Sequence, residues 1–310
     1  MPRRLRPLPL LVLGLACVAA FALLYALAVR TTHGQRVDDA AVTGRSYSPV
    51  AHQAAQAFLT TISVGSLALA IAALVGQALL RRRVALALVG AAVVVGSVVT
   101  SEVLKHVILP RPFLYFAGVL NHNTFPSGHT TVAFSVGVAA TLVAPPRLRR
   151  VVAAGAFLFG SAVGIATVAA GWHRPSDVVG AMLVVIGWAA GIVLAVALVD
   201  RSAFDERPGD DDDAWPRPVV ATSYVGLALV LLGLGWLAAI AIVAAQHVGA
   251  LAVTKPNAAF VAACASIAAA AALLLAALMT VMREALPPAD ADAPSPADAL
   301  AGVSAPRAQM

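Results

Sequence analysis

Charged side chains are scarce in this chain, because Asp, Glu, Lys and Arg make up only 12% of its 310 residues. Hydrophobic residues make up 60%, and the mean hydropathy is +0.88. This mean lies far above that of soluble domains, so the composition excludes an ordinary soluble protein and predicts that lipid is the solvent.

Cysteine and lysine are also rare. The only cysteines, Cys17 and Cys264, lie in apolar runs and give no information on the redox compartment. Gly14 stands where a lipoprotein cleavage site before Cys17 needs Leu or Val. There are only two lysines, Lys105 and Lys255, so the position of each is informative.

We find no internal repeat, broken helix or duplicated half, which disfavours a repeat-type transporter.

Long apolar runs are what the chain has in abundance. Several approach the length of about 20 residues that crosses a hydrocarbon core of about 30 Å. The first continues to Val29, longer than the apolar region of a signal peptide, and is predicted to remain as a helix. The sequence therefore predicts an all-α polytopic membrane helix bundle of about eight transmembrane helices. The predicted spans are 8–30, 58–80, 84–104, 129–144, 151–170, 178–199, 219–245 and 258–282.

The composition along the chain predicts how these spans are organised. The acidic, proline-containing loop after Asp200 favours a solvated linker over a cation site. The Ala-, Pro- and Asp-rich end has no periodicity and is predicted to be disordered. Five regions follow: an N-terminal helix with an outer loop that carries a surface helix (1–57), the helices that complete a six-helix core (58–200), the linker (201–218), two accessory helices (219–282) and the tail (283–310).

The basic residues predict the orientation. With the N-terminus in the cytoplasm, 14 Lys and Arg residues fall on the inner side and 7 on the outer side. The inner ones form tight clusters in short loops, as the positive-inside bias requires. The sequence therefore predicts a protein of the cytoplasmic membrane with both termini in the cytoplasm. The net charge of +6 indicates topology and not nucleic-acid binding, which no motif supports.

Ionisable residues gather at the predicted outer ends of spans three to six. Such groups are costly at membrane depth unless they pair or face a polar cavity, and they mark a site by default. The candidates are Lys105, Arg111, His129, His173, Arg174 and Asp177.

The stretch "PSGH", Pro126 to His129, precedes an apolar run. Ser127 is a good N-cap, and Gly128 allows a ligand to approach the backbone. The free amides and the dipole of the first helical turn then form an anion site. A capped helix start at a membrane surface explains the same residues.

The stretch "GWHRPSDVVG" places Asp177 in the first turn of a helix that Pro175 begins. A carboxylate four residues after His173 is suited to bind one imidazole nitrogen and leave the other as a nucleophile. An ordinary capping pair is the alternative interpretation.

The stretch "LKHVILPRPF" supplies Lys105 and Arg111, whose positive charges are suited to hold a phosphate. A lysine that snorkels to the headgroups and a loop arginine explain them equally well. Glu102 lies one turn before Lys105 and is suited to pair with it.

Taken together, the three segments resemble the membrane branch of the type-2 phosphatidic acid phosphatase superfamily, which also includes the vanadium haloperoxidases. The resemblance covers about residues 58–200. It implies hydrolysis of a lipid phosphate or diphosphate through a phosphohistidine, without metal or other cofactor. His173 would be the nucleophile, Asp177 its orienting partner and His129 the general acid. Lys105, Arg111, Ser127 and the Gly128 amide would hold the phosphoryl group.

Two features depart from that family's pattern. Five residues separate Lys105 from Arg111, whereas six are usual, and Ala166-Thr167 stands where a Ser-Arg pair is expected. A phosphate-binding arginine is thus missing, and Arg174 is the candidate to replace it because it adjoins His173.

Three functions remain open from the sequence. The first is a phosphatase acting at the outer face on a polyprenyl diphosphate, phosphatidic acid or phosphatidylglycerol phosphate. The second is a lipid-phosphate-binding or transport protein of the same fold with weak or no turnover. The third is a metal site built from clustered histidines, although their spacing matches no ligand motif.

Overall fold

The computed structural model describes residues 7–45, 49–60, 83–114, 120–199 and 256–286, together with residues 69, 71–73, 76 and 204. Within these ranges the regular secondary structure is helical. The helices are α1 (Leu8–Leu24), α2 (Thr32–Gly44), α3 (Pro49–Thr60), α4 (Val84–Val103), α5 (Gly128–Val143), α6 (Pro146–Ala169), α7 (Pro175–Val199) and α8 (Pro256–Ala285). Two π-helical turns, Tyr25–Val29 and Leu104–Ile108, extend α1 and α4.

The predicted all-α membrane bundle is confirmed. Among the described residues, five helices are long and apolar enough to cross a membrane, namely α1 and α4 with their π turns, α6, α7 and α8. Helix α5 is apolar but shorter, with 16 residues. Six of the predicted spans thus coincide with described helices. The predicted span 219–245 and most of 58–80 lie outside the described residues, as do nearly all of the linker and the tail.

The helices begin where the sequence provides a start signal. Ser127 caps α5 through its hydroxyl, which accepts a hydrogen bond from the amide of Thr130. Thr31 caps α2 in the same way, because its side chain accepts from the amide of Gly34. Prolines occupy the first positions of α6 and α7, where a missing amide proton costs nothing. These starts fix where the polar residues at the ends of the helices lie.

Helix α7 is the centre of the bundle. It packs against α1, α4, α5 and α8. Val178, Met182 and Ile186 on this helix are fully buried and belong to the main hydrophobic core. Because the first turn of α7 carries the predicted site residue Asp177, the packing of α7 fixes the position of Asp177 relative to the neighbouring helix ends.

Helix α8, predicted to be accessory, packs against α1, α2, α6 and α7. Its residues Ile267, Leu275 and Leu278 are buried in the same core as α7. The division of the chain into a six-helix core and an added pair stays a prediction.

The predicted outer segment 31–57 contains α2 and most of α3, so a helix does lie where the sequence suggests one. Helix α2 turns a polar face inward, with Gln35, Asp38 and Asp39 all buried. The side-chain amide of Gln35 donates to the carbonyl oxygens of Val29 and Pro112, which joins α2 to the loop that carries Arg111.

Close packing of α5 on α6 predicts a stability difference between two glycines. A Cβ at Gly137 would lie 2.8 Å from the Cβ and 3.0 Å from the backbone Cα of Ala156, whereas one at the exposed Gly155 would meet nothing within 4 Å. We expect Gly137→Ala to destabilise the protein by about 1–3 kcal/mol, because overpacked helices must separate. Gly155→Ala is the matched control and should leave stability unchanged or slightly raised. Thermal unfolding in detergent measures both, and equal midpoints would contradict the packing.

Candidate active site

Four helix termini meet at one end of the bundle. The π turn after α4 carries Lys105, the start of α5 carries His129, the connection from α6 to α7 carries His173, and the first turn of α7 carries Asp177. The amide of Ser127 donates to the backbone carbonyl of Asp177 at 2.9 Å. This bond joins the start of α5 to the start of α7.

The two imidazoles expected to act together do lie together. The ring centroids of His129 and His173 are 6.3 Å apart, and the planes are inclined by 62°. Trp172 packs beside His129 with centroids 5.3 Å apart. His129 lies in α5 and His173 in the connection just before α7, so this proximity depends on the packing of α5 against α7.

The hydrogen bonds of His173 define its tautomer. Its Nδ1 lies 3.1 Å from the backbone carbonyl oxygen of Thr124 and 3.5 Å from Oδ2 of Asp177. A carbonyl oxygen only accepts, so Nδ1 carries the proton and Nε2 keeps its lone pair. The predicted partner Asp177 is present, but the nearer acceptor is a carbonyl that the sequence did not indicate.

Asp177 is fully buried and surrounded by donors. Its Oδ2 accepts from the Thr124 hydroxyl and from the backbone amide of Arg174, and its Oδ1 accepts from Nη1 of Arg111 at 3.3 Å. A buried carboxylate needs such donors to remain ionised. Asp177 therefore organises the loop before α5 and the arginine of the site as well as His173.

The guanidinium of Arg111 lies between two carboxylates. Its Nη1 contacts Asp177, and its Nη2 lies 3.5 Å from Oδ2 of Asp38. Nη2 is buried, and among the described residues it has no hydrogen-bond partner. An unsatisfied charged donor in a buried position is costly. Nη2 is therefore suited to donate a hydrogen bond to an oxygen of a bound anion.

Asp38 on α2 is an unexpected member of this group. Its Oδ1 accepts from the backbone amide of Ser176 at 3.1 Å, and its Oδ2 accepts from the Ser176 hydroxyl. Burial, followed by the nearby charge of Asp177, raises the pKa of Asp38 to about 6, although Ser176 and Arg111 oppose the shift.

Arg174 is held by protein groups on all three guanidinium nitrogens. Nε donates to Asp39 at 2.7 Å, Nη2 to the Leu120 carbonyl at 2.7 Å, and Nη1 to the Thr124 hydroxyl at 3.3 Å. Arg174 therefore anchors the start of α7 to α2 and to the loop before α5. This arrangement does not favour the expectation that Arg174 replaces the missing phosphate-binding arginine.

Lys105 lies against the start of α5. A Cβ at Gly128 would be 3.3 Å from Nζ of Lys105, so glycine leaves room for the ammonium group there. Nζ also donates to Glu102 at 2.9 Å. The side-chain amide of Asn123 donates to the carbonyl oxygens of Lys105 and Leu109, which fixes the π turn beside the loop before α5.

The position where an arginine was expected holds no charge. Thr167 is fully buried, and its hydroxyl donates to the carbonyl of Gly164 one turn earlier in α6. Of the cations proposed to hold the phosphoryl group, Lys105 lies in the π turn after α4 and Arg111 in the loop that follows it.

Sequence reasoning missed Asp38 and Thr124 as members of the site, and Asp39 as the partner of the Arg174 anchor. The pair Asp38-Asp39 stands in the predicted outer segment, where carboxylates are expected to face water, and only their burial reveals their roles. Within the described ranges, no group of three or more His, Cys, Asp or Glu side chains is placed to hold a metal ion.

Comparison with known proteins gives one match. Residues 85–203 match the family model described as the PAP2 superfamily. Neither a curated protein nor a solved structure matches the chain. The matched region runs from the second residue of α4 to beyond the end of α7 and contains all the predicted site residues, whereas α2, with Asp38 and Asp39, lies before it.

Proposed function

We propose that the protein, whose residues 85–203 match the PAP2 superfamily model, is a membrane phosphatase that hydrolyses a lipid phosphate or diphosphate through a phosphohistidine. The observation that carries this proposal is the 6.3 Å separation of the His129 and His173 rings beside the N-terminus of α5. Reacting atoms need to approach within about 3–3.5 Å, and two rings this close together are suited to reach the same phosphoryl group.

In the first step, Nε2 of His173 attacks phosphorus, and the bond between phosphorus and the leaving oxygen breaks. His129 donates a proton to that oxygen, so that the lipid departs as an alcohol or a monophosphate. In the second step, His129 takes a proton from water, the resulting hydroxide attacks phosphorus, and the P–N bond breaks. Inorganic phosphate leaves, and both histidines return to their starting states.

The phosphoryl oxygens have donors in three places. Lys105 supplies a charge beside Gly128, and Nη2 of Arg111 supplies a donor that has no hydrogen-bond partner among the described residues, although Asp38 lies 3.5 Å away. The Ser127 hydroxyl and the Gly128 amide complete the set at the start of α5, where the helix dipole favours an anion. Arg174 is left out, because its nitrogens are bound to protein groups.

The substrate we propose is a polyprenyl diphosphate, phosphatidic acid or phosphatidylglycerol phosphate, whose apolar tail remains in the lipid beside the helices. The active site faces the extracytoplasmic side of the cytoplasmic membrane, with both termini in the cytoplasm. The 14-to-7 distribution of basic residues supports this orientation.

The test is phosphate release by purified protein in detergent from a panel of these three lipids, with and without a chelator. We expect release from at least one lipid, undiminished by the chelator. If all three remain intact while they bind to the protein, the phosphatase proposal fails.

The second candidate is a protein of the same fold that binds or moves a lipid phosphate with little turnover. The buried, uncharged Thr167 favours it, because one cation that would stabilise the transferring phosphoryl group is absent. Binding without phosphate release, equal in wild type and His173→Ala, would support this candidate.

A further inference from the structure

Helix α2 reaches the proposed phosphate site through one carboxylate. Asp38 accepts two hydrogen bonds from Ser176, at the start of α7, and its Oδ2 lies 3.5 Å from Nη2 of Arg111. Both side chains of the Asp38–Arg111 pair are buried, with exposures of 7% and 1%. Solvent therefore screens this contact much less than a surface ion pair.

Arg111 is consequently held from two helices. Asp177 on α7 binds Nη1 at 3.3 Å, and Asp38 on α2 attracts Nη2 from another direction. An isolated arginine and carboxylate prefer a bidentate pair in which both Nη atoms bind the same carboxylate. Without Asp38, the guanidinium is free to turn and pair with Asp177 alone, which withdraws Nη2 from a phosphoryl oxygen.

We infer that Asp38 is a positioning residue of the phosphate site, which acts through Arg111 and makes α2 a working part of a site that otherwise lies within residues 85–203. This inference rests on the proposed function, since it assigns Arg111 to the phosphoryl group. Asp38 does not touch the substrate. It sets the direction in which Arg111 presents its unsatisfied nitrogen.

Asp39 provides a matched control. It is the next residue on α2, is equally buried, and is also paired with an arginine, because its Oδ1 accepts from Nε of Arg174. Arg174 serves as an anchor, with its remaining nitrogens bound to Leu120 and Thr124. A general loss of stability therefore affects both variants, whereas a change in phosphate affinity should be specific to Asp38.

The experiment compares Asp38→Asn with Asp39→Asn in two assays, the KM for a lipid phosphate and calorimetric binding of inorganic phosphate and orthovanadate in detergent. For Asp38→Asn we expect KM and both dissociation constants to rise by about 10- to 100-fold, as for loss of a charged hydrogen bond to the anion. For Asp39→Asn we expect changes below about threefold, within the scatter of indirect effects.

A double-mutant cycle separates positioning from a general structural effect. In an Arg111→Ala background, Asp38→Asn should weaken anion binding no further, because the residue through which it acts is gone. Ser176→Ala is a milder variant that removes one hydrogen bond to Asp38. It should raise the same constants by about 3- to 10-fold, and it serves if Asp38→Asn does not fold.

Unchanged anion binding in folded Asp38→Asn or Ser176→Ala overturns the inference, and so do equal effects of the two asparagine variants. Additive effects of Asp38→Asn and Arg111→Ala overturn it as well. Failure of the proposed function gives a different result. Wild-type protein then releases no phosphate from any lipid, while the calorimetric comparison still reports whether Asp38 acts on an anion site.

Discussion

Replacement of His173 by alanine is expected to lower phosphate release by at least about 10⁴-fold, since loss of a covalent nucleophile removes the reaction path and not merely a favourable contact. The side chain is held with Nδ1 on the Thr124 carbonyl and near Asp177, which leaves Nε2 as the attacking atom. The initial rate with a lipid phosphate measures the effect. Anion binding should weaken far less, because Lys105 and Arg111 are retained.

The same variant distinguishes a covalent from a direct mechanism. Wild-type protein that is mixed with radiolabelled substrate and quenched in alkali should retain label as phosphohistidine, and His173→Ala should retain none. His122→Ala is the control, because His122 is an exposed histidine in the connection before α5. Turnover by His173→Ala within about tenfold of wild type would contradict the nucleophile assignment.

The helices were predictable because a membrane span needs about 20 apolar residues, and this constraint is local. The exact ends of the helices were less predictable. Helix α6 was predicted over 151–170, but it begins at Pro146 and includes Arg149 and Arg150. The apolar run marks the part of a helix that lies in lipid, whereas the hydrogen-bonded helix continues into the polar region. The π turns after α1 and α4 have no composition that distinguishes them from α-helix.

For the site, short-range spacing was informative and long-range pairing was not. His173 and Asp177 are four residues apart across the start of α7, so their proximity needs only a local turn into that helix. Asp38 meets Ser176 across 138 positions of the chain, and Arg174 meets Asp39 across 135. Such pairs form only once α2 packs beside α7. Arg174 illustrates the consequence, since its position next to His173 suggested a phosphate ligand while the packing assigns its nitrogens to protein acceptors.

Replacement of His129 by alanine should have an effect that depends on the leaving group. A general acid contributes about 10²–10⁴-fold when the departing oxygen needs a proton, as the alkoxide of a lipid alcohol does. A nitrophenolate is stable as an anion and needs little help. We therefore expect His129→Ala to slow the first step, measured as release of the leaving group in a single turnover, by about 10²–10⁴-fold for phosphatidic acid and by about tenfold or less for p-nitrophenyl phosphate.

The ratio of the two rates makes this prediction robust, because partial unfolding or poor reconstitution lowers both by the same factor. The comparison also separates the two imidazoles. His173→Ala should abolish both reactions, since the nucleophile is needed whatever leaves, whereas His129→Ala should spare the first step with the activated ester. Equal losses on both substrates would mean that His129 only binds the phosphoryl group. The 6.3 Å between the rings would then reflect a shared anion site, with the proton supplied from elsewhere.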